Sequence, residues 1–141
     1  MTGAKTSAAT ESGRRVVDAS FIAAIVFGDS ALEVAELDWD APLLVAPSII
    51  RYEFMNVCVK KQRTGRIDAE RALVACQQFE SLSIATEYVS FPETLATAIR
   101  YRLSGYDAAY LWMALEYAAP LLTLDQQLHK AWQLAMKEVT K

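Results

Sequence analysis

Four acidic residues carry the chemistry this sequence could perform: Asp18, Glu53, Asp107 and Asp125. Asp107 stands in Ser104-Gly105-Tyr106-Asp107-Ala108-Ala109-Tyr110, where a glycine turn runs into a helix of small residues. Asp125 closes the apolar run Leu121-Leu122-Thr123-Leu124, and Asp18 closes Arg14-Arg15-Val16-Val17. Glu53 lies about a turn and a half into an otherwise apolar helix that starts at Pro47-Ser48, with Asn56 three residues later on the same face. Taken singly, each acid has an ordinary explanation: a helix cap for Asp107 or Asp125, a turn residue for Asp18, a surface charge for Glu53. Taken together they fall at the ends of elements that share one edge of the fold, and convergent acids are costly without a cation. Carboxylates grouped in this way suit hard divalent cations that prefer oxygen ligands, Mg2+ or Mn2+. The reaction they point to is hydrolysis of a phosphodiester by metal-activated water, which requires no protein nucleophile and no histidine base. That agrees with a chain whose one histidine is His129.

The elements that must position these acids follow from apolar patterning. Short continuous apolar runs predict buried strands at Arg14–Asp18, Leu43–Ala46, Ile84–Val89 and Leu121–Leu124. Between them helical spacing predicts Phe21–Phe27, capped by Ser20 and ended by Gly28, and a second short helix from Asp29-Ser30 to Leu37, with Trp39 in the connection after it. Further helices are predicted from Pro47-Ser48 to Arg63, over Asp68–Leu82, from Pro92 to the Ser104-Gly105 turn, over Asp107–Ala119 and from Asp125 to Lys137. Strands alternating with helices imply an α/β fold of three layers, α/β/α, around a mostly parallel sheet of about four or five strands. Ligands in such folds bind beyond the carboxyl ends of the strands, where Asp18 and Asp125 are placed and which Asp107 faces.

A chain of 141 residues is expected to form one domain, residues 14–141, behind a mobile tail, residues 1–13, rich in Ala, Thr, Ser and Gly. With 53% hydrophobic and 22% charged residues the composition excludes disorder. The net charge of −3 shows no global basicity, so any nucleic-acid contact must rest on local basic residues. Residues 1–13 lack the apolar core of a signal peptide, and Phe21–Phe27 is far short of the about 20 residues that span a bilayer. Cys58 and Cys76 have no metal-ligand spacing and read as buried small hydrophobes in a reducing, cytoplasmic protein.

The segments Val16-Val17-Asp18-Ala19-Ser20, Glu53-Phe54-Met55-Asn56, Gly105-Tyr106-Asp107-Ala108-Ala109-Tyr110 and Leu122-Thr123-Leu124-Asp125 resemble, in order, the four acidic motifs of the PIN-domain superfamily. Size and helix order are similar to the VapC toxins of bacterial toxin–antitoxin pairs, from Arg15 to Met136. The resemblance implies a Mg2+-dependent endoribonuclease acting on structured RNA, with a homodimer and an antitoxin as partners. It implies metal-shell roles for Asp18, Asp107 and Asp125, and a role for Glu53 in contacting metal or orienting the attacking water. Ser20, Asn56 and Thr123 match polar residues lining the site. Gln126 and Gln127 stand where some members carry a further acid, which leaves a second metal site weakly furnished.

The alternatives keep the same fold: a housekeeping RNA-processing nuclease, or a catalytically silent module binding metal or peptide. A receiver domain would want an acidic pair after the first strand, and a haloacid-dehalogenase-like phosphatase an Asp-x-Asp; Asp18-Ala19-Ser20 offers neither. Candidate RNA contacts are Lys60, Lys61, Arg63 and Arg66, whose other reading is a solvated helix end, and Arg100 and Arg102 before the glycine turn. His129, one turn after Asp125, reads as an exposed or helix-packing residue rather than a ligand. Phe21–Phe27 with Leu32, Val34, Leu37 and Trp39 reads as core packing, or as a groove for an antitoxin segment. Trp112, Met113 and Tyr117 read as residues that cover the sheet.

Overall fold

A computed structural model describes residues 13–28 and 43–139. The expected tail, apart from Gly13, and the expected helix from Asp29 to Leu37 with Trp39 lie outside the described residues. The elements are β1 (Arg14–Val17), α1 (Ala19–Phe27), β2 (Leu43–Pro47), α2 (Ile50–Arg63), α3 (Ala69–Ser81), β3 (Ala85–Glu87), α4 (Phe91–Tyr101), α5 (Gly105–Glu116), β4 (Leu121–Leu122) and α6 (Gln126–Val139).

The four strands form one parallel sheet in the order β3-β2-β1-β4. Val16 pairs with Val45 on one side and with Leu121 on the other, so β1 is central. Three strands step outward in one direction, and β4 then returns to the far side of β1. The order therefore reverses between β1 and β4, and parallel sheets open a crevice at such a reversal, at the carboxyl ends of the strands. The central strands are apolar on both faces because helices cover both, and Val16, Val17 and Val45 are buried. On one flank α1, α2 and α3 pack together, joined by Phe27, Phe54 and Phe79, whose ring centroids lie 6.2 and 4.9 Å apart in succession. Helix α5 packs on α4, on α6 and on β1, β2 and β4.

Two strands are shorter than their apolar runs. β3 stops at Glu87, paired with Pro47 at the end of β2, and the last bond between the two segments is Ser48 N–H to the Glu87 carbonyl at 3.0 Å. β4 stops at Leu122 because the next amides are taken by side chains. Leu124 N–H donates to Ser20 Oγ and Asp125 N–H to Thr123 Oγ1, both at 3.0 Å. The caps also differ. Asp18, not Ser20, caps α1 through Phe21 N–H at 3.0 Å, and Ser104, not Asp107, caps α5. Cys58 is buried as expected, whereas Cys76 is exposed, since α3 turns Ala75 and Phe79 inward instead. Phe21, Ile22 and Ala24 belong to the core, which satisfies the packing reading for that part of the apolar stretch. Met113 is buried, while Trp112 and Tyr117 are half-buried and hydrogen-bond to Glu93 and Glu87.

Candidate active site

The β1–β4 crevice is built around Asp18. The residue follows β1 directly, and its carboxylate is almost fully buried, with both oxygens engaged. Oδ1 accepts from Phe21 N–H and from Ser20 Oγ at 2.7 Å, and Oδ2 accepts from Thr123 Oγ1. Ser20 and Thr123 are thus second links in one network. Ser20 Oγ receives Leu124 N–H, and Thr123 Oγ1 receives Asp125 N–H, which locks the end of β4 against the start of α1. Burial raises the Asp18 carboxyl above its ordinary value, the three donors oppose that rise, and the charge of Asp125 adds to it.

Asp107 reaches the same place from α5. It sits in the first turn, and its own N–H donates to the Ser104 hydroxyl at 3.0 Å. Ser104 therefore performs the capping that Asp107 could have been needed for. The Asp107 carboxyl is raised by burial and then by the charges of Asp125 and Asp18. Glu53, half-buried on α2, is raised by burial and by the charges of Asp107 and Asp18, against a hydrogen bond from Tyr110 that lowers it. Asp125 follows β4; its Oδ1 accepts Leu128 N–H at 3.0 Å and so starts α6. Asp18, Glu53 and Asp107 each feel the charge of at least one other of the four acids, so the edge is one electrostatic unit.

A PIN-domain family model matches residues 15–132. This chain belongs to the PIN-domain family. Ribonuclease VapC3 of Pyrobaculum aerophilum is 33% identical over 118 residues, which cover 80% of this chain and 90% of that protein. Among solved structures, PAE2754 from Pyrobaculum aerophilum is similar with a TM-score of 0.68 at 22% identity, over 92% of this chain and 96% of that one. VapC20 of Mycobacterium tuberculosis, a sarcin-ricin loop cleaving toxin, is similar with a TM-score of 0.61 at 19% identity, over 83% of this chain and 94% of that one. At those identities the two structures speak for the fold, which is the α/β architecture of PIN domains.

Within this PIN edge the fit to a divalent cation rests on donor chemistry. The donors are carboxylate oxygens; Asp125 acts on Asp18, Asp125 and Asp18 act on Asp107, and Asp107 and Asp18 act on Glu53. A dipositive ion relieves that repulsion and takes the oxygen donors it prefers. Among the described residues, no three Asp, Glu, His or Cys side chains as they lie already form a ligand set. Asp18 and Asp125, moreover, each have oxygens committed to hydrogen bonds.

Other sequence-predicted residues fall differently. Asn56 is exposed one turn beyond Glu53 on α2. Lys61 is buried, with its ammonium 4.8 Å from the centroid of the Phe27 ring, so it packs α1 on α2 and is withdrawn from any phosphate. Lys60 and Arg63 are exposed on the last turns of α2, about 10 and about 15 Å along the helix axis from Glu53, and Arg66 is exposed in the turn beyond it. Arg100 pairs with Glu138 at 3.2 Å, and Arg102 is exposed at the left-handed end of α4. His129 lies on α6 with its ring 5.8 Å from that of Trp132, the helix-packing role. Sequence reasoning missed Tyr110, whose hydroxyl donates to Glu53 Oε1 at 2.5 Å. Its spacing from Asp107, three residues along one helix face, was the available signal.

Proposed function

We propose that this chain is a Mg2+- or Mn2+-dependent endoribonuclease that cleaves structured RNA in the cytoplasm, as the toxin of a VapBC-type toxin–antitoxin pair. The observation that supports the reading is that the buried or half-buried carboxyls of Asp18, Glu53 and Asp107 are each raised by the charge of another of the four acids. The relation to Ribonuclease VapC3 supports the nuclease, and the likeness to VapC20 supports a structured RNA target.

Asp18, Asp107 and Asp125 would hold the cation, which when bound supplies Lewis-acid activation of water and neutralises charge on the phosphodiester. The remaining work belongs to the chain. Glu53, with its raised carboxyl, accepts a proton from the attacking water and orients it for in-line attack. Ser20 and Thr123 hold Asp18 in one rotamer, so its oxygens do not rotate away as the substrate arrives. Asn56 lines the approach on the same face of α2. Lys60, Arg63, Arg66 and Arg102 supply exposed positive charge for backbone phosphates, a contribution expected to weaken with salt.

Partners follow from the same reading: an antitoxin protein and a second copy of the chain. The stripe Phe91, Leu95, Ile99 recurs every four residues on the exposed face of α4, and it is the surface on which we place the homodimer contact. Among the described residues no helix is long and apolar enough to cross a membrane. Induced expression followed by mapping of new RNA 5′ ends tests the function. Fragmentation that depends on Asp18 and Asp107 is expected; fragmentation undiminished in Asp18→Ala and Asp107→Ala would sink the nuclease reading. Normal growth with intact RNA would favour a silent binding module.

A further inference from the structure

Tyr110 is a large side chain of α5, only 1% exposed, yet its hydroxyl is directed at the half-buried carboxylate of Glu53 on α2. The two residues are 57 positions apart, so the bond crosses from one acid-bearing helix to another. Tyr110 follows Asp107 by three positions and therefore shares its face of α5. That helix is held in place by packing on β1, β2 and β4 and by the Ser104 cap. Glu53 stands between the exposed Tyr52 and the buried Phe54, and its side-chain hydrogen bond among the described residues is the one from Tyr110. A glutamate has three side-chain torsions, and a bond from a rigid phenol removes most of that freedom. Burial and the adjacent acids also push the Tyr110 hydroxyl far above its ordinary value, so it keeps its proton and remains a donor at every working pH.

We infer that Tyr110 is a positioning residue for Glu53: its hydroxyl occupies Oε1 and holds Oε2 of that carboxylate toward the acids of β1 and α5. The inference rests on the nuclease reading above, in which Glu53 orients the attacking water. Outer partners of this kind are worth about 10- to 100-fold in activity when removed. Their effect falls on turnover rather than on substrate affinity, because the misplaced group touches only the reacting atoms.

The test is a double-mutant cycle on full-length protein with wild type, Tyr110→Phe, Glu53→Ala and the double variant, read by Mg2+-dependent RNA cleavage and by thermal unfolding of metal-free protein. Tyr110→Phe is expected to lower kcat about 10- to 100-fold with KM changed by less than about threefold. In the Glu53→Ala background the same change is expected to lower kcat by no more than about twofold, and its shift in Tm is expected to shrink as well. Equal losses in both backgrounds, or a Tyr110→Phe enzyme as active as wild type, would show Tyr110 to be packing alone and overturn the inference. A wild-type protein inert toward RNA with either metal would instead overturn the nuclease reading and the catalytic role of Tyr110 with it.

Discussion

The crevice between β1 and β4 and the outer edge formed by β3 and α4 lie at the same end of the sheet but are finished in opposite ways. In the crevice Asp18 sits in a closed set of partners: Asp18, Ser20, Thr123 and the amides of Leu124 and Asp125 form one network. What it lacks is charge balance. At the outer edge Tyr88 and Phe91 are 92% and 85% exposed, and with Leu95 and Tyr106 they line an apolar cleft of about 490 Å³, while Ile99 is exposed one turn further along α4. There the missing element is apolar cover. On the proposed reading the first region takes a cation and a phosphate, and the second takes a second copy of the chain. Substitutions in the Asp18 network should therefore change chemistry and stability together, and substitutions at the edge should change assembly alone.

The largest effect is expected from Asp18→Ala. It removes the cap of α1 and strands the hydroxyls of Ser20 and Thr123, about 2–3 kcal/mol in sum, and it should abolish RNA cleavage. Chemical denaturation beside a cleavage assay separates the two losses. Thr123→Val keeps the shape but removes the donor to Asp18; a loss of about 1–2 kcal/mol and about tenfold in kcat is expected by the same measurements.

The pH dependence sharpens the contrast. The carboxyls of Asp18, Glu53 and Asp107 are raised first by burial and then by neighbouring acids. A group with a raised folded pKa stabilises fully below its unfolded value, 3.8 for Asp and 4.5 for Glu, and that contribution is lost as pH rises through the folded value. Metal-free protein should thus gain stability from these groups on acidification from neutrality toward their unfolded values. Added Mg2+ should raise Tm at about pH 7 more than at about pH 5, because the protonated acids no longer bind it. Differential scanning fluorimetry across that range, with and without metal, reads both effects. The smallest change in stability belongs to the edge: Leu95→Asp should alter unfolding by less than about 0.5 kcal/mol while shifting a dimer toward monomer in sedimentation velocity.

The apolar runs Val16-Val17 and Leu121-Leu122 were enough to read a covered parallel sheet, and the position of an acid after each was enough to read its edge. Competition for the same hydrogen bonds was not legible. Either Asp107 or Ser104 could have capped α5, and either Ser20 or Asp18 could have capped α1; tertiary placement decided both, in opposite ways for the two acids. Lys61 read as part of a basic surface because its neighbours are charged, but helical rotation turns it inward onto Phe27 while Lys60 stays in solvent. Tyr110 carries no charge, so nothing in its type distinguished it from a core aromatic. Its spacing from Asp107 was the one hint, and its partner lies 57 positions away.

The most direct test of the central claim uses Asp107, because Ser104 rather than Asp107 caps its helix and the side chain can be altered with little effect on the fold. RNA cleavage by wild type and Asp107→Asn should be compared with Mg2+ or Mn2+ present and after chelation. The account predicts cleavage that needs the metal and falls at least about 100-fold in the variant, more than an outer partner is worth, at unchanged Tm within a few degrees. Cleavage by Asp107→Asn at the wild-type rate, or cleavage that persists after chelation, would contradict it.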